Sequence, residues 1–429
     1  MASARPPERS SALLLWSDGR SQTVHLRTIG KSGGAGEVYA IEDHPGWVAK
    51  VYHASARPEQ LAHYARKIDW MIRHPPTLPA LPPQYEGVVQ LAWPQAVVQQ
   101  GRRFAGFAMR KIDFERTLEL DYLLTRRQAA QEGFAVDYGK LLTVCYNLAA
   151  LIDCLHAGRI AIVDLKPINL KVYKDELFVS ILDCDGFHIQ AEDFVSDAPQ
   201  VTPEYLAPEL HDRPIARPQS QDAFALATIA FRLLNYGIHP YAGIAGGRRD
   251  YPSELAGRIR QGLYPYGQSA LAGVRPAPAS VHECFPPPLR ALFDRAFTAA
   301  AGARPSAREW LAVLGVYAGR DSPAMGRCGQ GHLQFAGLPC PTCRRAQLLR
   351  GHVVRQRRIL TRIQATPGRA VSYLRKTLQG THSSPFQAAL AQAQLQTVQM
   401  APVTLPLRQV LAIELVWALG LLITLWWAR

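Results

Sequence analysis

Apolar and polar positions alternate through residues 22–52 around a glycine cluster, a period of two that predicts strand, tight turn, strand, strand. The period then changes. In PEQLAHYARKIDWMIR (58–73), Leu61, Tyr64, Ile68 and Met71 fall on one helical face, with Pro58 in the first turn, where its missing N–H does no harm. The Pro-rich run HPPTLPALPPQ (74–84) breaks that pattern, and two short strands are expected near 88–98 and 103–112. Beyond Ile112 the periodicity is helical. KLLTVCYNLAALIDCLHAG (140–158) has an apolar face wide enough for a buried core helix, and SQDAFALATIAFRLLNYG (220–237) is a second, closed by a glycine suited to a C-terminal cap. Strands first and helices after make an α+β chain.

Three shifts of composition follow Gly319: a Cys/His cluster at 326–346, a basic and then Gln/Ala-rich linker at 347–408, and an apolar run at 409–428. A chain of 429 residues, 48% hydrophobic and 19% charged, is a folded protein too long for one ordinary core. Its net charge of +14 has a location: between Arg344 and Arg408 there are eleven Lys/Arg and no Asp/Glu. The apolar run near the N-terminus, in MASARPPERSSALLLW, is too short for a signal peptide, so secretion is not expected.

The glycines of GKSGGAGEVYAI (30–41) let backbone N–H groups approach phosphate oxygens, although a Gly-rich hairpin is also a plain turn. Lys50 ends the apolar WVAK, where it faces that loop or solvent. A stronger signal is IAIVDLKPINLKV (160–172), with Asp164, Lys166 and Asn169 between β-type segments. In that grouping Asp164 can accept a substrate hydroxyl proton, Lys166 can neutralise a transferring phosphoryl group, and Asn169 can coordinate Mg²⁺. Asp183 in ILDCDGF supplies the second acid such chemistry needs.

The order of these motifs, with Leu155-His156, Ala207-Pro208-Glu209, Asp222 and Arg304, resembles the eukaryotic-type protein kinases over residues 20–318. The resemblance implies a bilobal protein-kinase-like fold: an extension at 1–19, an N-lobe at 20–112 and a C-lobe at 113–318. It implies Gly33, Gly34, Gly36 and Val38 over ATP, Lys50 on the α/β-phosphates, Asp164 and Lys166 as catalytic groups, and Asn169 and Asp183 on Mg²⁺. It further implies a buried Glu209–Arg304 ion pair, and Asp222 bonded to the catalytic-loop backbone. The lysine of DLKPIN resembles that of Ser/Thr kinases.

Departures from the pattern carry expectations of their own. Lys31 replaces the first loop glycine, and Val163 replaces an arginine, which predicts weak or absent control by activation-loop phosphorylation. Of the acids that could pair with Lys50 from the 58–73 helix, Glu59 is too close in sequence and Asp69 is the expected partner. Spacing from Asn169 favours Asp183 over Asp185 as the metal ligand, with Cys184 and Asp185 in the Phe and Gly places of the usual turn. The D-x-D-x-F pattern resembles a bacterial kinase group encoded beside PP2C phosphatases and von Willebrand A-domain proteins.

RCGQGHLQFAGLPCPTCRR places Cys328, His332, Cys340 and Cys343 in a C-x₃-H…C-x₂-C array that fits structural Zn²⁺ in a zinc ribbon and a reducing compartment. Cys145, Cys154, Cys184 and Cys284 fall on apolar patterns and read as core. VLAIELVWALGLLITLWWA (410–428) has nineteen residues, a helix of about 28 Å against a hydrocarbon core of about 30 Å. Its charge, Glu414, lies near one end, and Trp426 and Trp427 suit an interface. The basic residues before it favour the cytoplasmic leaflet over nucleic acid. The expectation is therefore a single-pass inner-membrane protein whose cytoplasmic Ser/Thr kinase acts on protein substrates with ATP, Mg²⁺ and structural Zn²⁺. A pseudokinase scaffold that binds partners without phosphoryl transfer is the alternative.

Overall fold

Alternate residues of Arg9–Trp16 (β1), Ser21–Ser32 (β2), Gly36–Ile41 (β3) and Trp47–Tyr52 (β4) turn short apolar side chains to one side. After a helix, Pro58–Arg73 (α1), the strands Ala96–Gln100 (β5) and Arg103–Arg110 (β6) close the sheet into a barrel in the order β1-β2-β3-β4-β6-β5. Ala12, Leu14, Val24, Leu26, Ile41, Ala49, Ala96, Val98 and Ala108 fill its interior, small residues predominating because so narrow a barrel has little room. Gly106 is required where β6 crosses β4, since a Cβ there would fall 1.9 Å from the Lys50 carbonyl oxygen.

The computed structural model describes residues 9–351 except 33, 54, 79–80, 199–200, 212–216, 248–249, 269–270 and 320. Gly33, the linker from 352 to 408 and the apolar run 409–428 lie outside the described residues. The expected N-terminal boundary at residue 20 cuts through the barrel, because β1 pairs with both β2 and β5. Leu13 and Leu15 are half-buried while Leu14 is fully inside, so the alternation that marks a strand is blurred in SALLLW. The strand expected at 88–98 begins only at Ala96; the segment before it makes a single bridge, Leu91 to Ile181.

The second part of the chain is helical. Thr117–Glu119 (β7), Arg126–Gln131 (α2) and Tyr138–Ala157 (α3) lead into it, and the Asp137 carboxylate accepts from the Lys140 N–H at 2.8 Å to cap α3. With a mean hydropathy of 1.2 over an eighteen-residue window, α3 is apolar enough to cross a membrane, but it packs here against neighbouring helices as the core. Short strands Ile160–Ala161 (β8), Leu170–Tyr173 (β9), Val179–Ile181 (β10), His188–Gln190 (β11) and Val195–Ser196 (β12) frame the cleft. Pro218–Leu234 (α4) is buried nearly all round, and so runs through the middle of this part. Gly243–Ala245 (β13), Leu255–Arg260 (α5), Val274–Pro276 (β14), Pro287–Thr298 (α6) and Ala307–Tyr317 (α7) complete it, followed by the hairpin Met325–Arg327 (β15) and Leu333–Phe335 (β16).

Candidate active site and metal centre

Because Ala49 of β4 faces the barrel interior, Lys50 and Tyr52 share the opposite face, toward α1 and the turn at 183–187. The Lys50 ammonium donates to Asp185 Oδ1 at 2.8 Å and to Asp183 Oδ1 at 3.2 Å, and the Tyr52 hydroxyl donates to Asp185 Oδ2 at 3.0 Å. Asp185 is 4% exposed, whereas the Asp183 side chain is 62% exposed. Burial works against the Lys50 charge, but the carboxylates of Asp185 and Asp183 more than offset it and hold the ammonium well above its ordinary pKa.

The acid expected from α1 is therefore corrected. Asp69 pairs with Arg73 at 2.6 Å on the solvent face and does not reach Lys50. The helix presents Lys67 instead, 1% exposed, which donates to the Phe187 carbonyl at 2.5 Å. Two residues on, Asp69 lies about 200° around the helix and cannot share that face. Burial pulls Lys67 down to about 8, with Asp185 and Asp197 acting in opposition. Tyr64 of α1 stacks on Tyr52, ring centroids 4.3 Å apart and planes within 5°. The helix thus reaches Lys50 through Tyr64, Tyr52 and Asp185. The residue read as a replacement for turn glycine is a buried partner of the lysine.

The loop that carries Asp164 is strained and then fixed. Val163, β-branched, has φ of +65°, a conformation L-residues avoid. Asp222, fully buried on α4, accepts from the N–H groups of Ile162 and Val163 at 2.7 Å each, while the His156 ring lies 3.0 Å from it. Gln221 donates to the Val163 and Tyr205 carbonyls at 3.1 and 2.9 Å, tying the loop to the segment before Glu209. Glu209 in turn takes a two-pronged contact from Arg304, at 2.5 and 2.7 Å.

Held in this way, Asp164 accepts from Lys166 at 2.7 Å and from the Thr202 hydroxyl at 2.6 Å, and Lys166 also meets Thr202 at 3.0 Å. The Asn169 side-chain Nδ2 approaches the Asp164 backbone carbonyl at 3.4 Å, and the Asn169 backbone carbonyl accepts from the Leu182 N–H at 2.9 Å, next to Asp183. Asp183 is left-handed, with φ of +53°, a conformation aspartate tolerates better than most residues. A cavity of about 470 Å³ brings together Gly34, Gly36, Val38, Lys50, Asp164, Lys166, Asn169, Asp183 and Asp185. Glu119, Asp164, Asp183 and Asp185 line it against two lysines, Lys50 and Lys166, an excess of carboxylate that suits a divalent cation bridging to phosphate. Sequence reasoning missed Thr202, Tyr52 and Lys67. A lysine at three residues from Tyr64 and four from Met71, on an otherwise apolar helical face, was the available signal for Lys67.

The four Cys/His side chains also converge. One ligand atom from each of Cys328, His332, Cys340 and Cys343 lies within 4.8 Å of all the others. Cys328 Sγ is 3.6 Å from His332 Nδ1 and 3.9 Å from Cys343 Sγ, and Cys343 Sγ is 3.4 Å from His332 Nδ1. Tetrahedral Zn²⁺ bonds imply edges of about 3.8 Å for S···S and about 3.6 Å for S···N. The set fits zinc, leaving no open position for substrate. Phe335 of the hairpin is 1% exposed and meets Tyr138, Phe285 and Tyr317 edge-on, so this module is packed into the helical part.

No protein-family model matches the chain. It is similar to the protein named Protein kinase YegI in Escherichia coli (strain K12), 28% identical over 310 residues, which cover 68% of this chain and 45% of that protein. The similarity is to a protein kinase. The protein of the same name in Escherichia coli O157:H7 is 29% identical over 301 residues, covering 67% of this chain and 44% of the relative. The chain thus spans under half the length of the curated relatives it matches. The name of these relatives and the mixed α/β content of this chain fit a kinase-like fold.

Proposed function

We propose that this chain is an ATP- and Mg²⁺-dependent protein-serine/threonine kinase. The observation that supports the reading is the convergence of Lys50, Asp164, Asn169 and Asp183 on one cavity, from three separate stretches of chain. Lys50 meets the nucleotide phosphates, and Asp164 receives the proton of a substrate hydroxyl beside Lys166. Asn169 and Asp183 hold the metal, which when bound neutralises the transferring phosphoryl charge. Asp185 positions Lys50. Gly34 and Gly36 supply backbone N–H groups without Cβ atoms in the way, and Gly36 is fixed by its approach to β4, where a Cβ would fall 2.3 Å from the Val51 oxygen.

Zn²⁺ at Cys328, His332, Cys340 and Cys343 is structural in this reading. Residues 409–428 cross the cytoplasmic membrane once, with the kinase in the cytoplasm, and a PP2C-type phosphatase and a von Willebrand A-domain protein are the partners the resemblance suggests. Phosphoamino-acid analysis of a substrate labelled by the protein tests the specificity: phosphoserine or phosphothreonine supports it, and phosphotyrosine alone overturns it. Retention in the membrane through high-salt and carbonate washes tests the anchor, and release by carbonate removes it.

A further inference from the structure

A second cavity, of about 540 Å³, opens beneath the catalytic loop, between the end of α3, β8, the first turn of α4 and residues 301–306. Its charge is opposite in kind to that of the nucleotide cleft. Arg159, Arg217 and Arg304 line it with His156 and His188, and no aspartate or glutamate does. Most of these cationic groups already have partners. Arg304 is matched by Glu209, His156 by Asp222, and His188 by Asp197 at 3.4 Å.

Arg159 and Arg217 remain. Both are exposed, and neither side chain has a hydrogen bond or ion pair among the described residues. The backbone makes room for the second of them: a Cβ at Gly302 would lie 2.3 Å from Arg217 Nη1. Two guanidiniums without a carboxylate partner give this cavity a positive potential, and their planar forks match the oxygens of a phosphate.

We propose that this cavity binds a phosphate group, held between Arg159 and Arg217. The neutral polar groups of Gln190 and Ser306 lie on its rim. Occupancy has a direct route to the catalytic loop, since the His156 ring on its wall contacts the Asp222 carboxylate that holds the Ile162 and Val163 N–H groups. The site is independent of the reading given above, because binding can be measured without phosphoryl transfer.

The test is calorimetric titration of the full chain with its nucleotide cleft saturated by Mg²⁺ and a non-hydrolysable ATP analogue. Inorganic phosphate, pyrophosphate, and a phosphoserine peptide beside its unmodified form are the probes. The expected result is saturable binding of at least one phosphate probe with Kd below about 1 mM. That affinity should fall at least tenfold in Arg159→Ala and in Arg217→Ala, with Arg217→Gln and unchanged melting temperatures guarding against misfolding. Binding by phosphate or pyrophosphate identifies a free anion, and binding by the phosphopeptide alone identifies a modified side chain. Absence of saturable binding for every probe, or equal affinity in the double variant, overturns the proposal.

Discussion

Replacing Asp185 by asparagine isolates the unusual contact of the cleft. Lys50 and Asp185 are 8% and 4% exposed, so their pair is shielded from water. Breaking a buried pair from one side costs about 3–5 kcal/mol. Asp183 stays 3.2 Å from Lys50 and recovers part of this, but its side chain is 62% exposed and its attraction is screened. The asparagine amide must also turn an N–H toward either the Lys50 ammonium or the Tyr52 hydroxyl, both of which are donors to the carboxylate. A net loss of about 2–4 kcal/mol follows, or roughly 3–6 °C in melting temperature for a domain of this size. The assay is thermal unfolding of the nucleotide-free protein, beside KM for ATP, which should rise as Lys50 swings toward Asp183. Asp69→Asn is the matched control. Its i,i+4 pair with Arg73 is 60% and 53% exposed and is worth about 0.5 kcal/mol or less, with no effect on KM. Wild-type melting in Asp185→Asn, or a raised KM in Asp69→Asn, would refute the reasoning.

Three further outcomes are expected. Lys67 has a folded pKa of about 8 against an ordinary 10.5, with Asp185, Asp197 and Lys50 as the charges acting on it. Between those values the unfolded chain binds the extra proton, so wild type should gain on Lys67→Met by about 1.4 kcal/mol per pH unit, on the order of 3 kcal/mol across the window, measured by urea unfolding; a gap independent of pH would contradict this. Chelation, or Cys340→Ser, should remove about one zinc per chain and lower the melting temperature by roughly 5–15 °C, because Phe335 loses its backing; metal analysis with calorimetry reads both. Gly106→Ala should cost about 1–3 kcal/mol or more and reduce activity, since the new Cβ would fall 1.9 Å from the Lys50 oxygen and part β4 from β6; chemical denaturation and activity assays check it.

Some of this was legible in the sequence and some was not, for physical reasons. The helix at 58–73 was readable to the residue because Pro58 starts it and the Pro-rich run ends it. The core helices at 140–158 and 220–237 were placed to within a few residues, their apolar faces being wide. Strand β1 is not legible because its inward Ala12 and Leu14 are flanked by the half-buried leucines Leu13 and Leu15, which hides the period of two in the sequence. Local spacing brought Asp164, Lys166 and Asn169 together, since all three sit on one short loop. The partner of Lys50 was not legible. Asp185 is 135 residues away, and pairing at that distance depends on how α1 and the turn pack. Lys67 on an apolar face was the visible hint that this helix carries the opposite charge to the one expected. The Cys/His cluster was readable because its four residues lie on two local turns, but the docking of Phe335 against Tyr138 was not.

The most direct measurement is transfer of label from γ-labelled ATP to a protein acceptor in Mg²⁺, comparing the wild-type chain with Asp164→Ala and Asp183→Ala. The account predicts incorporation by wild type and a fall of at least about 100-fold in each variant. Equal, background-level incorporation by all three, with nucleotide still bound, would contradict it and make the protein a scaffold.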